Sequence, residues 1–240
     1  KASNCFFIAR NVIMIGLYLT WRRREAAATL GYISVRQVYG PCGWRVSGNL
    51  LNLRKNQQTM RIAVYCSSRD NLPSQWRESA AAVGRWIGEN GSELVYGGVD
   101  LGLMHTVADA TRKAGGRITG VVPLRRADMA FAGNDVNIPT AELTDRKNVM
   151  QLLADVFVVL PGGYGTLDEF ASAFAYINFG SLNHKQIVLF NPDGLFDHLV
   201  AQLNVMVERG LMSASLIDSL TVARDTDELL SALDTLKPTI

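Results

Sequence analysis

The run Leu160-Pro161-Gly162-Gly163-Tyr164-Gly165-Thr166-Leu167-Asp168-Glu169 holds the residues best suited to chemistry. It follows an apolar strand, 156–160, and opens a helix. Three glycines in four positions are expected to allow positive φ and close approach of a ligand to the backbone. The first N–H groups of a helix have no intrahelical acceptor and carry the positive end of the helix dipole. Together these make an anion site, usually filled by phosphate. Thr166 adds a hydroxyl, and Glu169 lies one turn further along the same face. A phosphate cradle beside a carboxylate suggests work on a phosphorylated small molecule.

Competing chemistries fit less well. Gly163-x-Gly165 supplies two positions of a dinucleotide fingerprint, but Asp168 stands where the third glycine belongs. The next strand ends in Asn191, not in an acid for ribose hydroxyls. No Gly-Lys-Ser/Thr follows either glycine run, so a P-loop fails. His105, His184 and His198 are dispersed, and no metal or organic cofactor is expected. No Gly-x-Ser-x-Gly elbow occurs. Cys5, Cys42 and Cys66 offer neither a paired framework nor metal spacing and fit a reducing compartment, so the domain reads as cytoplasmic. Cys66 reads as a small buried residue at the end of the first strand.

The surrounding elements alternate. Strands are expected at 61–66, 93–96, 118–122, 156–160, 187–191 and 219–223. Helices are expected at 73–89, 101–114, 145–153, 166–179, 195–209 and 225–236, with a long polar connection over 124–144. Short apolar strands separated by amphipathic helices indicate an α/β fold, a doubly wound parallel sheet of Rossmann-like type. Ligands of such sheets bind at the carboxyl ends of strands. Ser67, Gly97, Gly98 and the run 161–166 all fall there, as candidate substrate contacts.

The chain has 240 residues, 24 basic and 22 acidic. Residues 1–59 hold nine of the bases and one acid, Glu25, which leaves 15 bases and 21 acids beyond. The leading segment is therefore +8 and the body −6. That segment shows no steady period, and its apolar stretch 12–21 is too short to span a bilayer. Arg22-Arg23-Arg24 follows the stretch, the reverse of a secretory signal. We expect 1–59 to be an extension outside the functional fold and 60–240 to be the working domain. A start-transfer anchor, an organelle presequence or upstream read-through are the alternatives. The segment lacks the interleaved aromatics of a nucleic-acid arm, and neither nucleic acid nor membrane is expected as a partner.

Pro161-Gly162-Gly163-Tyr164-Gly165-Thr166-Leu167-Asp168-Glu169 resembles the Pro-Gly-Gly-x-Gly-Thr-x-x-Glu signature of the LOG family. These are cytokinin riboside 5′-monophosphate phosphoribohydrolases, long labelled lysine decarboxylases. Arg146-Lys147 is similar to the family's second motif, and Tyr96-Gly97-Gly98, Gly102-Leu103-Met104 and Gly120-Val121-Val122-Pro123 to its intervening elements. The resemblance spans residues 60 to about 211. It implies hydrolysis of the N-glycosidic bond of a nucleoside 5′-monophosphate in a homodimer whose site lies partly at the subunit contact. It also implies Arg146 and Glu169 as the catalytic pair. Lys147, Asp128 and the segment Gly162, Gly163, Tyr164, Gly165 and Thr166 would contact substrate. A helix N-terminus and a nearby Arg146 are expected to keep Glu169 ionised at neutral pH. Val99, His105, Ala175, Tyr176 and Asn178 depart from the family pattern, and Ala175 offers no side-chain hydrogen bond for base or ribose. The competing reading is a binding protein of the same fold, similar to molybdenum-cofactor carriers.

Overall fold

In the computed structural model, residues 59–179 and 185–237 are described. The expectation for 1–59 therefore falls almost wholly outside the described residues, as does His184. Among the described residues, no helix is long and apolar enough to cross a membrane.

Seven parallel strands form one sheet: β1 Arg61–Tyr65, β2 Glu93–Tyr96, β3 Arg117–Pro123, β4 Val136–Thr140, β5 Val156–Val159, β6 Gln186–Phe190 and β7 Leu220–Ala223. Their order is β4-β3-β2-β1-β5-β6-β7. The chain first winds outward from β1 to β4, then returns to the other side of β1 and winds outward from β5 to β7. The winding reverses between β1 and β5, paired from Ile62↔Val156 to Tyr65↔Val159. Their carboxyl ends splay the following loops apart and leave a crevice there.

Alternation along β1 feeds two cores. Ile62 and Val64 pack with Ala80, Val83, Leu103 and Leu229 on one face, from helices α1 Ser74–Glu89, α2 Gly102–Lys113 and, last in the chain, α7 Thr226–Thr235. Ala63 and Tyr65 pack with Met150, Phe170 and Leu203 on the other, from α3 Leu143–Leu153, α4 Tyr164–Asn178 and α5 Asp197–Glu208. A short helix, α6 Ala214–Ile217, precedes β7. The fold is α/β and Rossmann-like, with helices on both faces. At α7, Asp225 accepts a hydrogen bond from Glu228 N at 2.8 Å, while Arg224 N donates to Glu228 Oε2 at 2.7 Å. The first bond satisfies a first-turn donor, the second ties the residue before the N-cap back to the helix, and together they fix where the helix begins.

The connection expected over 124–144 is not irregular throughout. It holds a 3₁₀ turn, Leu124–Met129, and the edge strand β4. β4 escapes the sequence pattern because it alternates half-buried Val136 and Ile138 with exposed Asn137 and Pro139. Proline and polar residues are tolerated on a strand only at such an edge. Helix α4 begins at Tyr164, two residues before the expected start.

Candidate functional site

Glycine, arginine and glutamate converge on the crevice between β1 and β5. A cleft of about 500 Å³ is lined by Cys66, Ser67, Ser68 and Arg69 after β1, and by Gly97, Val99 and Met104 after β2. Pro123, Arg125 and Arg126 line it from the end of β3 and the turn beyond, Leu143 and Arg146 from α3. Gly163, Tyr164, Gly165, Thr166 and Glu169 line it from α4.

The amino end of α4 is open. Leu167 N donates to Gly163 O at 3.0 Å and begins the helical ladder. The N–H groups of Tyr164, Gly165 and Thr166 precede that bond and have no carbonyl one turn back to receive them. The glycines of this loop are used for space, and the expected positive φ is not found at Gly162, Gly163 or Gly165. A Cβ on Gly163 or Gly165 would meet nothing within 4 Å, so both leave room on the cleft side. A Cβ on Gly162 would overlap the Thr166 hydroxyl, so Gly162 lets Thr166 fold over the loop. The requirement is steric, since these backbones sit where any residue could.

Arg146 crosses from α3 to α4 and donates from Nη2 to Glu169 Oε1 at 2.7 Å. Both side chains are largely withdrawn from water, 13% and 6% exposed respectively. Gly97 makes the crossing feasible, because a Cβ there would stand 2.5 Å from Arg146 Nη2. Arg146 Nε is buried without a hydrogen-bond partner, as is the Tyr65 hydroxyl, which feels the charges of Glu169 and Arg146. Buried donors left open are uncommon and often mark a site that waits for a ligand or stores strain.

Burial pushes the Glu169 carboxyl up to about 7; Arg146 and, more weakly, Lys147 hold it down, and Asp168 pushes it further up. This corrects the expectation of a fully ionised glutamate. Arg146 does favour the anion, but desolvation outweighs it. The group is poised to exchange a proton near neutrality. Burial also pushes up the Tyr65 hydroxyl and the Cys66 thiol, so Cys66 at the cleft floor is a protonated, packed side chain.

The remaining sequence candidates divide. Ser67, Gly97, Gly163, Tyr164, Gly165 and Thr166 line the cleft beside Arg146 and Glu169. Lys147 Nζ instead grips both carboxylate oxygens of Asp168, at 2.7 and 2.8 Å, alongside the catalytic candidates. Gly98, at φ +77, packs against Val122 and Gly120, where a side chain would collide. Asp128 is exposed on the 3₁₀ turn and is not among the cleft-lining residues, whereas Arg125 and Arg126 of the same turn are. The sequence reading missed these two arginines and Arg69. Their signal was adjacency to the carboxyl ends of β3 and β1. Among the described residues, no group of three or more His, Cys, Asp or Glu could hold a metal ion.

A doubly wound parallel sheet with an open helix amino end and a buried Arg–Glu pair at its reversal point defines a Rossmann-like protein with a cleft at that point. The chain belongs to the LOG family. The profile of the family described as "Possible lysine decarboxylase" matches residues 104–233. The chain is 35% identical over 173 residues to a cytokinin riboside 5′-monophosphate phosphoribohydrolase of Mycobacterium marinum, covering 71% of this chain and 91% of that one. It is 33% identical over 180 residues to a probable enzyme of the same name from Oryza sativa subsp. japonica, covering 74% and 79%. Among solved structures, the molybdenum cofactor binding protein of Rippkaea orientalis superposes with a TM-score of 0.60 at 23% identity, covering 75% of this chain and 99% of that one. That likeness concerns the fold.

Proposed function

We propose that this protein hydrolyses the N-glycosidic bond of nucleoside 5′-monophosphates, releasing free base and ribose 5-phosphate. Cytokinin riboside monophosphates, named for its relatives, and AMP-like nucleotides are the substrate class. One observation carries the reading: the Arg146–Glu169 pair and the open amino end of α4 share one cleft. A cleft that only bound anions would gain nothing from a buried carboxylate beside its amides.

In this reading the 5′-phosphate docks on the N–H groups of Tyr164, Gly165 and Thr166, where the helix dipole favours negative charge. The ribose then lies within one helical turn of Glu169. As the bond from C1′ to the base nitrogen breaks, positive charge grows on the sugar, as in other glycoside hydrolyses. Ionised Glu169 stabilises that charge and orients the attacking water. Water adds a hydroxyl to C1′, and the departing base gains the balancing proton. Arg146 fixes the carboxylate and keeps enough of it ionised for this role. The family resemblance further supports a homodimer.

The deciding experiment incubates the purified protein with AMP and with isopentenyladenosine monophosphate and measures ribose 5-phosphate. Release from either supports the hydrolase. Tight binding of a phosphorylated pterin with no cleavage of any nucleotide would overturn it in favour of a carrier.

A further inference from the structure

The cleft holds more positive charge than one phosphate requires. Arg69, Arg125, Arg126 and Arg146 line it against a single carboxylate, Glu169. Arg146 already engages that carboxylate. Among the described residues, no ion pair or side-chain hydrogen bond is formed by the guanidinium groups of Arg69, Arg125 or Arg126. Other arginines of this domain do find acids, such as Arg61 on Glu93 at 3.3 Å and Arg112 on Asp135 at 3.0 Å. The body of the chain is net negative, with 21 acids against 15 bases over 60–240. Arg85 and Arg209 are also without such partners among the described residues but lie apart from one another on α1 and after α5, so it is the gathering of three open cations in one cleft that stands out against the negative body.

Their placement separates them from the amide nest. Arg125 and Arg126 lie on the turn Leu124–Met129 that follows β3, whereas the open amides follow β5. β2 and β1 stand between those strands. Three inter-strand spacings amount to on the order of 14 Å. Arginine side chains close part of that gap, and Arg69, after β1, lies within it. Two cationic features so spaced suit two distinct anionic groups on one ligand, not two oxygens of one phosphate. Guanidinium is also the side chain whose planar fork matches phosphate oxygens in pairs.

We propose that Arg69, Arg125 and Arg126 form a second anion subsite, facing the amides of α4 across the cleft, which takes a second phosphate carried on the ribose of the nucleotide. The ligand class is a nucleoside 3′,5′-bisphosphate. The proposal rests on the nucleotide reading of the cleft given above.

Calorimetric titration of the full chain with AMP, ADP, adenosine 3′,5′-bisphosphate and inorganic phosphate tests it. The bisphosphate is expected to bind at least about tenfold more tightly than AMP, with ADP gaining less. In Arg125→Ala/Arg126→Ala the ratio of bisphosphate to AMP affinity falls toward one, and Arg69→Ala moves it the same way. Arg125→Lys/Arg126→Lys retains part of the preference, with thermal melts verifying that each variant folds. Equal affinities for AMP and bisphosphate overturn the subsite, as does a ratio unmoved by the double alanine variant. A preference for ADP over the bisphosphate also overturns it, since that puts the second phosphate next to the first. Failure to bind AMP or the bisphosphate overturns the nucleotide reading together with the subsite, whereas AMP binding without preference overturns the subsite alone.

Discussion

Arg146 Nη2 and Glu169 Oε1 meet at 2.7 Å across the gap between α3 and α4, and the space for that contact is left by Gly97 at the end of β2. Three elements far apart in sequence thereby determine one carboxylate. If Glu169 meets charge that forms on the sugar, Glu169→Gln keeps the shape and loses the charge. We expect release of ribose 5-phosphate to fall by about 10²- to 10⁴-fold, with nucleotide still bound. Undiminished release from this variant would remove Glu169 from the mechanism.

The pH dependence of activity follows from the raised carboxyl. With Glu169 needed as the anion and half protonated at about 7, kcat/KM should climb through that pH and level off above it. A profile that instead declines through neutrality would assign Glu169 the role of an acid.

Stability should run the opposite way. A carboxyl raised from 4.5 to about 7 by folding holds a proton that the unfolded chain has released. Its contribution is complete below pH 4.5 and is lost as pH rises through 7, on the order of 3 kcal/mol in all. Denaturant midpoints from pH 5 to 8 should therefore fall more steeply for the native chain than for Glu169→Gln. Parallel curves would show that the raised carboxyl has no energetic counterpart.

Gly165→Ala separates folding from binding. A Cβ there meets nothing within 4 Å, and the residue sits inside the first turn of α4 without positive φ. The helix should gain up to about 1 kcal/mol. The new methyl also crowds the amides, so affinity for AMP should drop about tenfold or more. A thermal melt and a titration on the same sample measure both, and unchanged affinity would remove these amides from the phosphate site.

Gly97→Ala acts at one remove. Its Cβ would press on the Arg146 guanidinium, the movable end of a flexible side chain, so the protein should still fold. With Arg146 displaced, the limb of the pH profile should move upward from about 7, because the largest influence holding the Glu169 carboxyl down is weakened. A profile at the native position would mean that Arg146 relaxes around the methyl without consequence.

Much of this was legible in the sequence, for physical reasons that differ between elements. β5, the glycine run and α4 announce themselves because an apolar strand, a loop without side chains and an amphipathic helix each leave a separate mark. β4 leaves none, since Asn137 and Pro139 face outward at an edge where little is buried. The partnership of Arg146 and Glu169 could be proposed from their order. The proton affinity of Glu169 could not, because desolvation depends on how α3, α4 and β1 close around it. Arg125 and Arg126 lie within what reads as a long polar connection, and only the winding of the sheet brings their turn to the crevice.

The reversal of winding between β1 and β5 has a consequence for manufacture of the cleft. Ser67, Gly97 and Arg125 arrive with the first half of the domain, and Arg146, Gly165 and Glu169 with the second. A nascent chain emerging from the ribosome owns no binding pocket until its later strand zips onto the earliest one. A nucleotide bound as proposed would bridge that seam, favouring chains already completed over those half made.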